Sequence, residues 1–410
     1  WFFLGEGEES SHEVFELWMR IREAERDPEA ARAEFLRALP GIEGIYVPRF
    51  YDVKYHEDGT VADVIPYDGA PLPVRKRRLA RTDDYDTVSM VRTVNTEFGE
   101  MALLEVGKGC GRGCRFCMEG EIYRPVRHRH IDAILRAADT ALQRGKRIGL
   151  VGACVSDYPW IDELMAALRA RGVEVSLSSV RADSLSPGLV QGLVESGSRT
   201  LTIAPEAGTD RLRTVIHKSL TDQRIFEAVD LIADSGVPRV KMYFMIGQPT
   251  ETAEDIAGII HLAKAVRHRI LQKRRDPKSL AELTVGVSCF VPKPWTAFQW
   301  CAMAEVRALE EKIHHLQREL RRVGIRFTHD VPKWAFLQAV LARGDRHVGD
   351  LLSLALTHRG NWKRVFREWP RNPDFYACRE RPLTERFPWD HIEVGTKRER
   401  LEIEYQRAMG

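Results

Sequence analysis

Long apolar runs are missing from this 410-residue sequence. A membrane-spanning helix needs roughly 18 or more consecutive apolar residues, and no stretch of the chain provides them. The first nine residues, WFFLGEGEE, also lack the basic flank of a secretion signal. These two absences predict a cytoplasmic protein that has no membrane partner.

The sequence also has no large excess of charge of one sign. Its 62 Lys and Arg residues nearly balance its 59 Asp and Glu residues, so the net charge of +3 predicts no general attraction to nucleic acid. Two basic runs stand out, at residues 74–81 and 264–278. The first has no interleaved aromatic residue for base stacking, and the second ends a helical pattern, where basic residues also suit the helix dipole. Nucleic acid is therefore a weakly supported partner.

Cysteine is sparse, and its seven residues do not form a disulfide framework. Three of them, Cys110, Cys114 and Cys117, form a CxxxCxxC pattern directly behind an apolar run, and the other four are scattered. Thiolates are the usual ligands of iron–sulfur clusters, and a four-iron cluster needs four ligands. The pattern therefore predicts an iron–sulfur loop. Because it has only three cysteines, one iron would be left open to a substrate.

A structural zinc site is the alternative for these cysteines, with His128 or His130 as the fourth ligand. Glycine at positions 107, 109, 111 and 113 favours the cluster, because it lets the backbone fold tightly and aim N–H groups at the sulfurs. The next cysteine, Cys154, lies far downstream. We interpret it as a small buried residue rather than a fourth ligand.

From residue 101 onward, short apolar runs alternate with amphipathic helical patterns, which is typical of βα units and a parallel sheet. Six strands are predicted, at residues 102–106, 147–151, 174–177, 200–203, 240–246 and 283–290. Such units are right-handed, and six of them curve into a partial barrel whose carboxyl-terminal strand ends carry the chemistry. The predicted barrel covers residues 101–300.

The flanking parts of the chain are predicted to be accessory. Residues 1–100 contain apolar positions at helical spacing and then short alternating runs, which predict two helices, a small β region and a linker at about residues 80–100. Residues 301–410 are predicted to form a helical extension that caps the barrel mouth, with a long helix over 302–323. The predicted fold class is α/β.

With Phe116 before its last cysteine, the loop resembles the signature of the radical S-adenosylmethionine (SAM) superfamily. The resemblance continues through YRPVR, LRTVIHK, FMIGQPTET, FVPKPWTAFQW and FPWDHIEVG. It implies a partial (β/α)6 TIM-like barrel and a [4Fe-4S] cluster on Cys110, Cys114 and Cys117. It also implies reductive cleavage of SAM to a 5'-deoxyadenosyl radical that abstracts hydrogen. An electron donor such as a flavodoxin or ferredoxin would be a partner.

The resemblance also implies which residues bind SAM. Ser156 or Asp157 stands where the family often has a Glu that faces the amino group, and the segment after the third strand lies near the methionine carboxylate. Asp183 in that segment has a helix cap as its alternative role. The residues predicted to bind the cofactor are Phe116, Ser156, Ser178, Arg181, Glu206, Gly247, Phe290 and Val291.

The start FLGEGEE is similar to the end of a cobalamin-binding domain in a bacterial branch of the superfamily, and we expect that domain to be absent or truncated here. A second cysteine cluster would suggest sulfur insertion, and the sequence has none. Cobalamin-dependent methyl transfer is therefore the leading chemistry, with radical rearrangement or oxidation of a bound substrate as the alternatives. Cobalamin-dependent methyl transfer requires the turn at residues 5–9 to lie at the same end of the barrel as Cys110. The Met118-Glu119-Gly120 segment departs from the family pattern.

The alternative function is a non-catalytic zinc or iron–sulfur protein that associates with RNA. For the enzyme, the substrate is unknown, because its identity depends on the cap and loops. Seven residues of the C-terminal extension are candidates to face it: His329, Arg343, Asp345, Arg346, Trp389, Asp390 and His391.

Overall fold

The chain begins with an α+β segment that has its own hydrophobic core. The structure is a computed structural model and describes residues 1–89, 91, 93–96, 98–99, 101–143, 145–273 and 282–410. In chain order the segment contains β1 (Phe2–Phe3), α1 (Glu8–Ala24), α2 (Pro28–Ala38), β2 (Ile45–Tyr46), β3 (Tyr51–Tyr55), β4 (Val61–Pro66) and β5 (Val74–Arg75). Strands β3 and β4 form an antiparallel hairpin. The two predicted helices and the small β region are therefore confirmed.

Helix α2 begins where the sequence carries Asp27 followed by Pro28. The Asp27 carboxylate accepts a hydrogen bond from the Ala30 backbone N–H at 3.0 Å, and Pro28 takes the first helical position. Both residue types are favoured at these positions, because the side-chain oxygen satisfies a free N–H and proline has no N–H to lose. Val14 of α1 packs with Leu39 in the core of this segment.

The central part of the chain alternates strands with helices. In chain order it contains β6 (Ala102–Glu105), β7 (Gly107–Lys108), α3 (Glu119–Ile122), β8 (Arg127–His128), α4 (Ile131–Leu142), β9 (Arg147–Val151), α5 (Ile161–Ala170), β10 (Glu174–Ser176), α6 (Pro187–Glu195), β11 (Thr200–Glu206), α7 (Asp210–Val215), α8 (Asp222–Asp234), β12 (Arg239–Ile246), α9 (Ala253–Gln272) and β13 (Glu282–Cys289). The short elements β7, α3 and β8 belong to the cysteine loop.

The six strands of the barrel lie side by side in the order of the sequence and run parallel. Strands β6, β9 and β10 pair in one group, and β11, β12 and β13 pair in a second. A parallel bridge between Val180 and Ile203 joins the two groups into one curved row. All six predicted strands are confirmed, and the architecture is a partial TIM-like barrel. Because the strands are parallel, their carboxyl ends meet at one end of the barrel.

Part of the predicted linker lies beside the first barrel strand. Val88 forms an antiparallel bridge with Leu104, and the Ser89 backbone N–H donates to the Leu103 carbonyl at 2.9 Å. Positions 90, 92, 97 and 100 of this predicted linker lie outside the described residues.

The C-terminal extension contains a strand that the sequence analysis placed in a helical region. In chain order the extension consists of α10 (Val306–Arg322), β14 (Arg326–His329), α11 (Pro332–Arg343), α12 (Val348–Thr357), α13 (Trp362–Glu368), α14 (Pro373–Ala377), β15 (Ile392–Glu393) and α15 (Arg398–Met409). The long helix predicted over 302–323 is confirmed as α10. Strand β14 pairs in parallel with β13, so the curved row continues past residue 300.

The reason for β14 is local. Gly324 has a φ of 69°, a left-handed conformation that ends α10 and reverses the chain. Ile325, 3% exposed, then packs into the main core, and Phe327 pairs with Val285 of β13. Four residues between two long helical patterns carry too weak an alternation to be recognised in the sequence.

The last short strand connects the two ends of the chain. Ile392 of β15 pairs in parallel with Val74 of β5, and the Arg75 and Glu393 side chains form an ion pair at 3.0 Å.

Among the described helices, none combines the length and apolar character that crossing a membrane requires.

Candidate active site

The cysteine loop is closed at its base by the short antiparallel strands β7 and β8, in which Gly107 pairs with His128. Gly109 has a φ of 79°, and a Cβ there would lie 2.4 Å from the Tyr123 carbonyl oxygen. A Cβ at Gly107 would lie 2.8 Å from the Arg127 carbonyl oxygen. These glycines are required because the two arms of the loop approach closely, as the sequence predicts.

The three cysteines line one cavity of about 190 Å³ at the carboxyl-terminal end of the barrel. The rest of the lining comes from Phe116 of the loop itself, from the ends of the neighbouring strands β9, β10 and β11, and from the segment after α7. It consists of Phe116, Gly152, Ala153, Cys154, Val155, Leu177, Ser178, Ser179, Val180, Arg181, Ala204, Glu206 and Lys218. Four predicted cofactor-binding residues, Phe116, Ser178, Arg181 and Glu206, therefore lie together with the cysteines.

The thiols are close enough to affect one another's ionisation. Burial raises the pKa of Cys114, while the positive charges of Lys218 and Arg181 lower it and Cys110 raises it. Burial also raises the pKa of Cys117, and Cys114 and Cys110 add to that effect. Neighbouring cations favour the thiolate form, which is the form that binds metal.

The geometry fits a cluster better than a zinc ion. In the described part of the chain, no three His, Cys, Asp or Glu side chains converge to hold a single ion. Both candidate zinc histidines have other contacts, since His128 packs edge-on against Tyr158 and His130 accepts a hydrogen bond from the Asp132 backbone N–H at 3.4 Å. Zinc requires its ligands around one point, whereas cluster thiolates bind different irons of one cluster.

A charged network forms the wall opposite the thiols. Lys218, 7% exposed, donates to the Glu206 carboxylate at 3.2 Å. Arg181 donates to the Lys218 carbonyl oxygen at 3.0 Å and pairs with Asp183 at 2.9 Å. Glu206 has a φ of 68°, which is uncommon for a residue with a side chain and is typical of functional positions. Lys218 was missed as a site residue, although it directly follows the LRTVIH helix segment.

The predicted contact Ser156 lies behind the cavity wall. Its hydroxyl accepts hydrogen bonds from the Arg181 backbone N–H at 3.2 Å and from the Ser184 hydroxyl at 2.8 Å. Arg112 of the cysteine loop donates to Asp157 at 2.6 Å and to Asp183 at 3.1 Å. Ser156 and Asp157 thus support the strand ends from outside the cavity lining.

Asp183 is not a helix cap. The N-cap of α6 is Ser186, whose hydroxyl accepts the Leu189 backbone N–H at 3.1 Å. The alternative role that the sequence offered for Asp183 is therefore wrong, and its carboxylate instead binds Arg112 and Arg181.

Three predicted contacts lie outside this cavity. The Gly247 N–H donates to the Glu251 carboxylate at 3.0 Å, Phe290 packs edge-on against Phe298 with ring centroids 5.8 Å apart, and Val291 belongs to the main core. Phe116 connects the two regions, since it lines the cavity and packs on the cluster that contains Phe290. The adenine-side role of Gly247, Phe290 and Val291 stays a prediction.

Comparison with known proteins identifies this loop and barrel. Residues 104–263 match the family model described as the radical SAM superfamily. The chain belongs to the radical SAM superfamily. This superfamily uses a [4Fe-4S] cluster and SAM, and its members are enzymes.

The curated relatives of this radical SAM chain are longer proteins. An uncharacterized protein of Methanocaldococcus jannaschii is 34% identical over 317 residues, which cover 76% of this chain and 63% of that protein. A tRNA-2-methylthio-N(6)-dimethylallyladenosine synthase of Ruegeria sp. is 27% identical over 190 residues, 42% of each chain. The ribosomal protein uS12 methylthiotransferase RimO of Pelobacter propionicus is 21% identical over 258 residues, 58% of this chain and 54% of that protein. This chain thus spans about two fifths to three fifths of their lengths.

Solved radical SAM structures also match this chain. The methyltransferase TsrM from Kitasatospora setae has a TM-score of 0.42 at 15% identity and covers 69% of this chain and 50% of its own. The coproporphyrinogen III oxidase HemN from Escherichia coli has a TM-score of 0.36 at 17% identity, over 53% of this chain and 52% of its own.

The N-terminal turn lies beside the cysteine loop of this radical SAM domain. Glu8 is 3.1 Å from Lys108, two residues before Cys110, and Glu6 forms an ion pair with Arg127. Burial alone would raise the pKa of Glu6, but Arg127 and the Leu79 backbone N–H outweigh it and hold the pKa below its ordinary value. The prediction that residues 5–9 lie at the same end of the barrel as Cys110 is confirmed.

The C-terminal helix covers the other side of the loop. Arg115, 8% exposed, donates to the Val215 carbonyl at 2.7 Å and to Glu404 of α15 at 3.0 Å. Ala408 and Tyr405 of the same helix pack with Phe116. Helix α15 therefore packs against the cysteine loop, and the cap over the barrel mouth stays a prediction.

The first basic run is largely engaged within the protein. Arg77 forms ion pairs with Glu9 and Glu13 at 2.7 Å each, and Lys76 donates to the Ile122 carbonyl. In the second basic run, residues 274–278 lie outside the described residues.

The structure also places the substrate candidates. Asp345, Arg346, Trp389 and His391 line one further cavity. The other three have different contacts: Arg343 is fully buried and donates to backbone carbonyls, Asp390 accepts from the Phe387 N–H at 2.8 Å, and His329 belongs to β14 and is exposed.

Proposed function

We propose that this protein is a radical SAM enzyme that cleaves SAM reductively and uses the 5'-deoxyadenosyl radical to abstract a hydrogen atom from its substrate. One electron from a flavodoxin- or ferredoxin-like donor balances the cleavage to methionine and the radical. The observation that carries the proposal is the meeting of Cys110, Cys114 and Cys117 with a charged wall in one small cavity.

The residues divide into two roles. Cys110, Cys114 and Cys117 would hold the cluster, which supplies the electron for SAM cleavage when bound. The Glu206 carboxylate suits an ammonium group, and Arg181 suits a carboxylate, so this wall can orient the two ends of an amino acid. Lys218 holds Glu206 in place. The cap of α15 and Phe116 limits access of water to the loop.

A more specific proposal is that this enzyme transfers a methyl group with the help of cobalamin. The position of the N-terminal turn beside Lys108 supports it, because a domain placed before this turn could reach the cysteine cavity. Methylthio transfer is the second candidate, since several curated relatives carry that activity in their names. Within residues 1–410, the cysteines outside the loop do not form a second cluster motif: they are Cys154, Cys289, Cys301 and Cys378.

A non-catalytic protein that associates with RNA is the competing hypothesis. It would use the basic runs as contacts. The ion pairs of Arg77 with Glu9 and Glu13 favour a structural role for the first run, because these charges are already neutralised inside the protein.

The test is SAM cleavage by the reconstituted protein. The protein is loaded with iron and sulfide without oxygen, reduced with dithionite and given SAM, and 5'-deoxyadenosine is quantified by mass spectrometry. We expect the product from the wild type. We also expect about a tenfold weaker apparent SAM affinity in Glu206→Gln, with Glu195→Gln on the exposed end of α6 as the control. No product from an intact, reducible cluster would exclude the enzyme proposal.

A further inference from the structure

A second cavity, of about 350 Å³, lies where three distant parts of the chain meet. The N-terminal β segment contributes five residues, among them Tyr46 and Tyr55, the loop after β13 contributes Pro294 and Trp295, and the C-terminal extension contributes the other eight. Because that loop follows the carboxyl end of a barrel strand, the cavity lies towards the same end of the barrel as the cysteine loop. The two cavities share no lining residue.

One amide links the two tryptophans of the lining, through the backbone of Trp295 and the indole of Trp389. The Gln299 side-chain oxygen accepts both the Trp295 backbone N–H and the Trp389 indole N–H, each at 3.1 Å. Trp295 has a φ of 53°, a left-handed conformation that a bulky residue rarely adopts. Such conformations persist where the surroundings enforce them, typically at binding sites. The position of Trp295 is therefore imposed by its neighbours rather than by its own backbone preference.

The cavity wall also contains the buried imidazole of His391, which packs against the rings of Tyr46 and Tyr51. His391 is 8% exposed, and neither ring nitrogen has a hydrogen-bond partner within the described residues. The Pro388 carbonyl lies near the ring and favours a proton on it, but it does not reach hydrogen-bond geometry. Burial, with the positive charge of Arg346, lowers the pKa of His391 to about 4. A neutral imidazole offers one donor and one acceptor, and leaving both unused in a buried position is costly.

The charged residues of this wall are one cation, Arg346, and one acid, Asp345. Arg346 and Arg386 both act on His391 as positive charges. Arg346 uses one nitrogen to donate to the Tyr46 hydroxyl at 3.2 Å and to the Pro48 carbonyl at 2.7 Å, which leaves its other N–H groups for a ligand. The acidic lining residue Asp345 already accepts from the His347 backbone and ring at 2.9 Å. The wall therefore suits an anion rather than a cation.

We propose that this cavity binds the substrate through an aromatic ring that carries an anionic group. The ring packs against the indoles of Trp295 and Trp389, the anionic group pairs with Arg346, and a polar edge of the ring bonds His391. The identity of this ligand as the substrate rests on the proposed radical SAM function, whereas the binding of an aromatic anion does not.

The experiment measures binding to the full-length reconstituted protein by calorimetry, without reductant or SAM. Indole-3-acetate is the probe, with the neutral indole-3-acetamide and the non-aromatic anion cyclohexylacetate as comparisons. We expect indole-3-acetate to bind at least tenfold more tightly than either. Arg346→Gln should weaken indole-3-acetate at least tenfold and leave indole-3-acetamide unchanged. Arg364→Gln, on the exposed face of α13, is the matched control.

A second pair of variants tests His391 independently of Arg346. His391→Gln keeps a donor and an acceptor and should retain most of the affinity, whereas His391→Leu should weaken it several-fold. If indole-3-acetate does not bind, or binds equally to wild type and Arg346→Gln, the proposal is wrong. Failure of SAM cleavage with intact probe binding would instead reject the proposed function and leave the aromatic-anion site standing.

Discussion

At the scale of single residues, four cysteines line the active-site cavity, but only three come from the CxxxCxxC loop. Cys154 follows β9, lies 3.7 Å from the Ser156 hydroxyl, and has its pKa raised to about 12, mainly by burial. Burial raises the pKa of Cys114 and Cys117 as well, so it is the CxxxCxxC spacing that separates the three loop cysteines from Cys154. The structure thus brings Cys154 nearer to the loop than its sequence position suggested, without making it equivalent to the other three.

We predict that replacing Cys110, Cys114 or Cys117 with Ala abolishes both iron binding and SAM cleavage, because each removes one cluster ligand. Cys154→Ala should keep its iron. Iron and sulfide per chain, measured after anaerobic reconstitution, provide the readout, and Cys301→Ala, buried outside this cavity, is the matched control. If Cys154→Ala lost iron as completely as Cys114→Ala, the assignment of an open iron would be wrong.

The residues that the sequence could and could not identify differ in a physical way. Cys110, Cys114 and Cys117 are close in sequence, so their spacing alone predicts a shared ligand role. Glu206 and Arg181 were assigned through the resemblance to the radical SAM superfamily, and both stand at the carboxyl ends of parallel strands, which meet at one end of a barrel. Lys218 is part of the LRTVIHK segment but was given no role, because the burial of a lysine depends on long-range packing. Ser156 was expected in the lining and lies behind it, because a backbone N–H competes for its hydroxyl.

At the scale of elements, α15 is attached to the cysteine loop by one buried ion pair. Arg115 follows Cys114 directly, and it donates to Glu404 and to a carbonyl of α7. The six barrel strands were predictable because their apolar runs alternate regularly with amphipathic helical patterns. The strand β14 was not, because four residues carry little pattern and its formation depends on the open edge of β13.

We predict that Glu404→Gln speeds the release of iron from the reconstituted protein several-fold, because a buried Arg115 without its partner holds the loop less firmly. Release to an excess of chelator, followed by absorbance, measures this rate. Glu399→Gln, on an exposed position of the same helix, should release iron at the wild-type rate. Equal rates in the two variants would mean that α15 does not secure the loop.

The N-terminal turn makes a second such attachment, and its strength depends on pH. The pKa of Glu6 is lowered in the folded protein, so its stabilising effect is complete above the ordinary value of 4.5 and is lost as the pH falls through the lower folded value. We predict that Glu6→Gln reduces the free energy of unfolding by about 3 kcal/mol at pH 7. The difference from wild type should shrink below about pH 4.5.

Urea unfolding of both proteins between pH 3.5 and 7 measures the two free energies, with Glu29→Gln on α2 as the exposed control. A difference that stays constant over this range would show that the ionised form of Glu6 contributes nothing.

At the scale of the whole molecule, the two ends of the chain surround one barrel. The N-terminal segment supplies Tyr46 and Tyr55 to the second cavity, and the C-terminal extension supplies Arg346 and His391. Sequence analysis identified Arg346 and His391 as substrate candidates but had no means to join them to the N-terminal segment, because no local pattern records contacts between residues about 300 positions apart.

The pairing of β5 with β15 has a consequence for biosynthesis. The partners Arg75 and Glu393 are 318 residues apart, and ribosomes add about 5–20 residues per second. Strand β5 therefore waits roughly 16 to 64 s after its own synthesis for its partner to be made. During that interval the N-terminal segment can pack its own core, but the second cavity still lacks one wall. The second cavity is consequently among the last parts of the nascent protein to assemble.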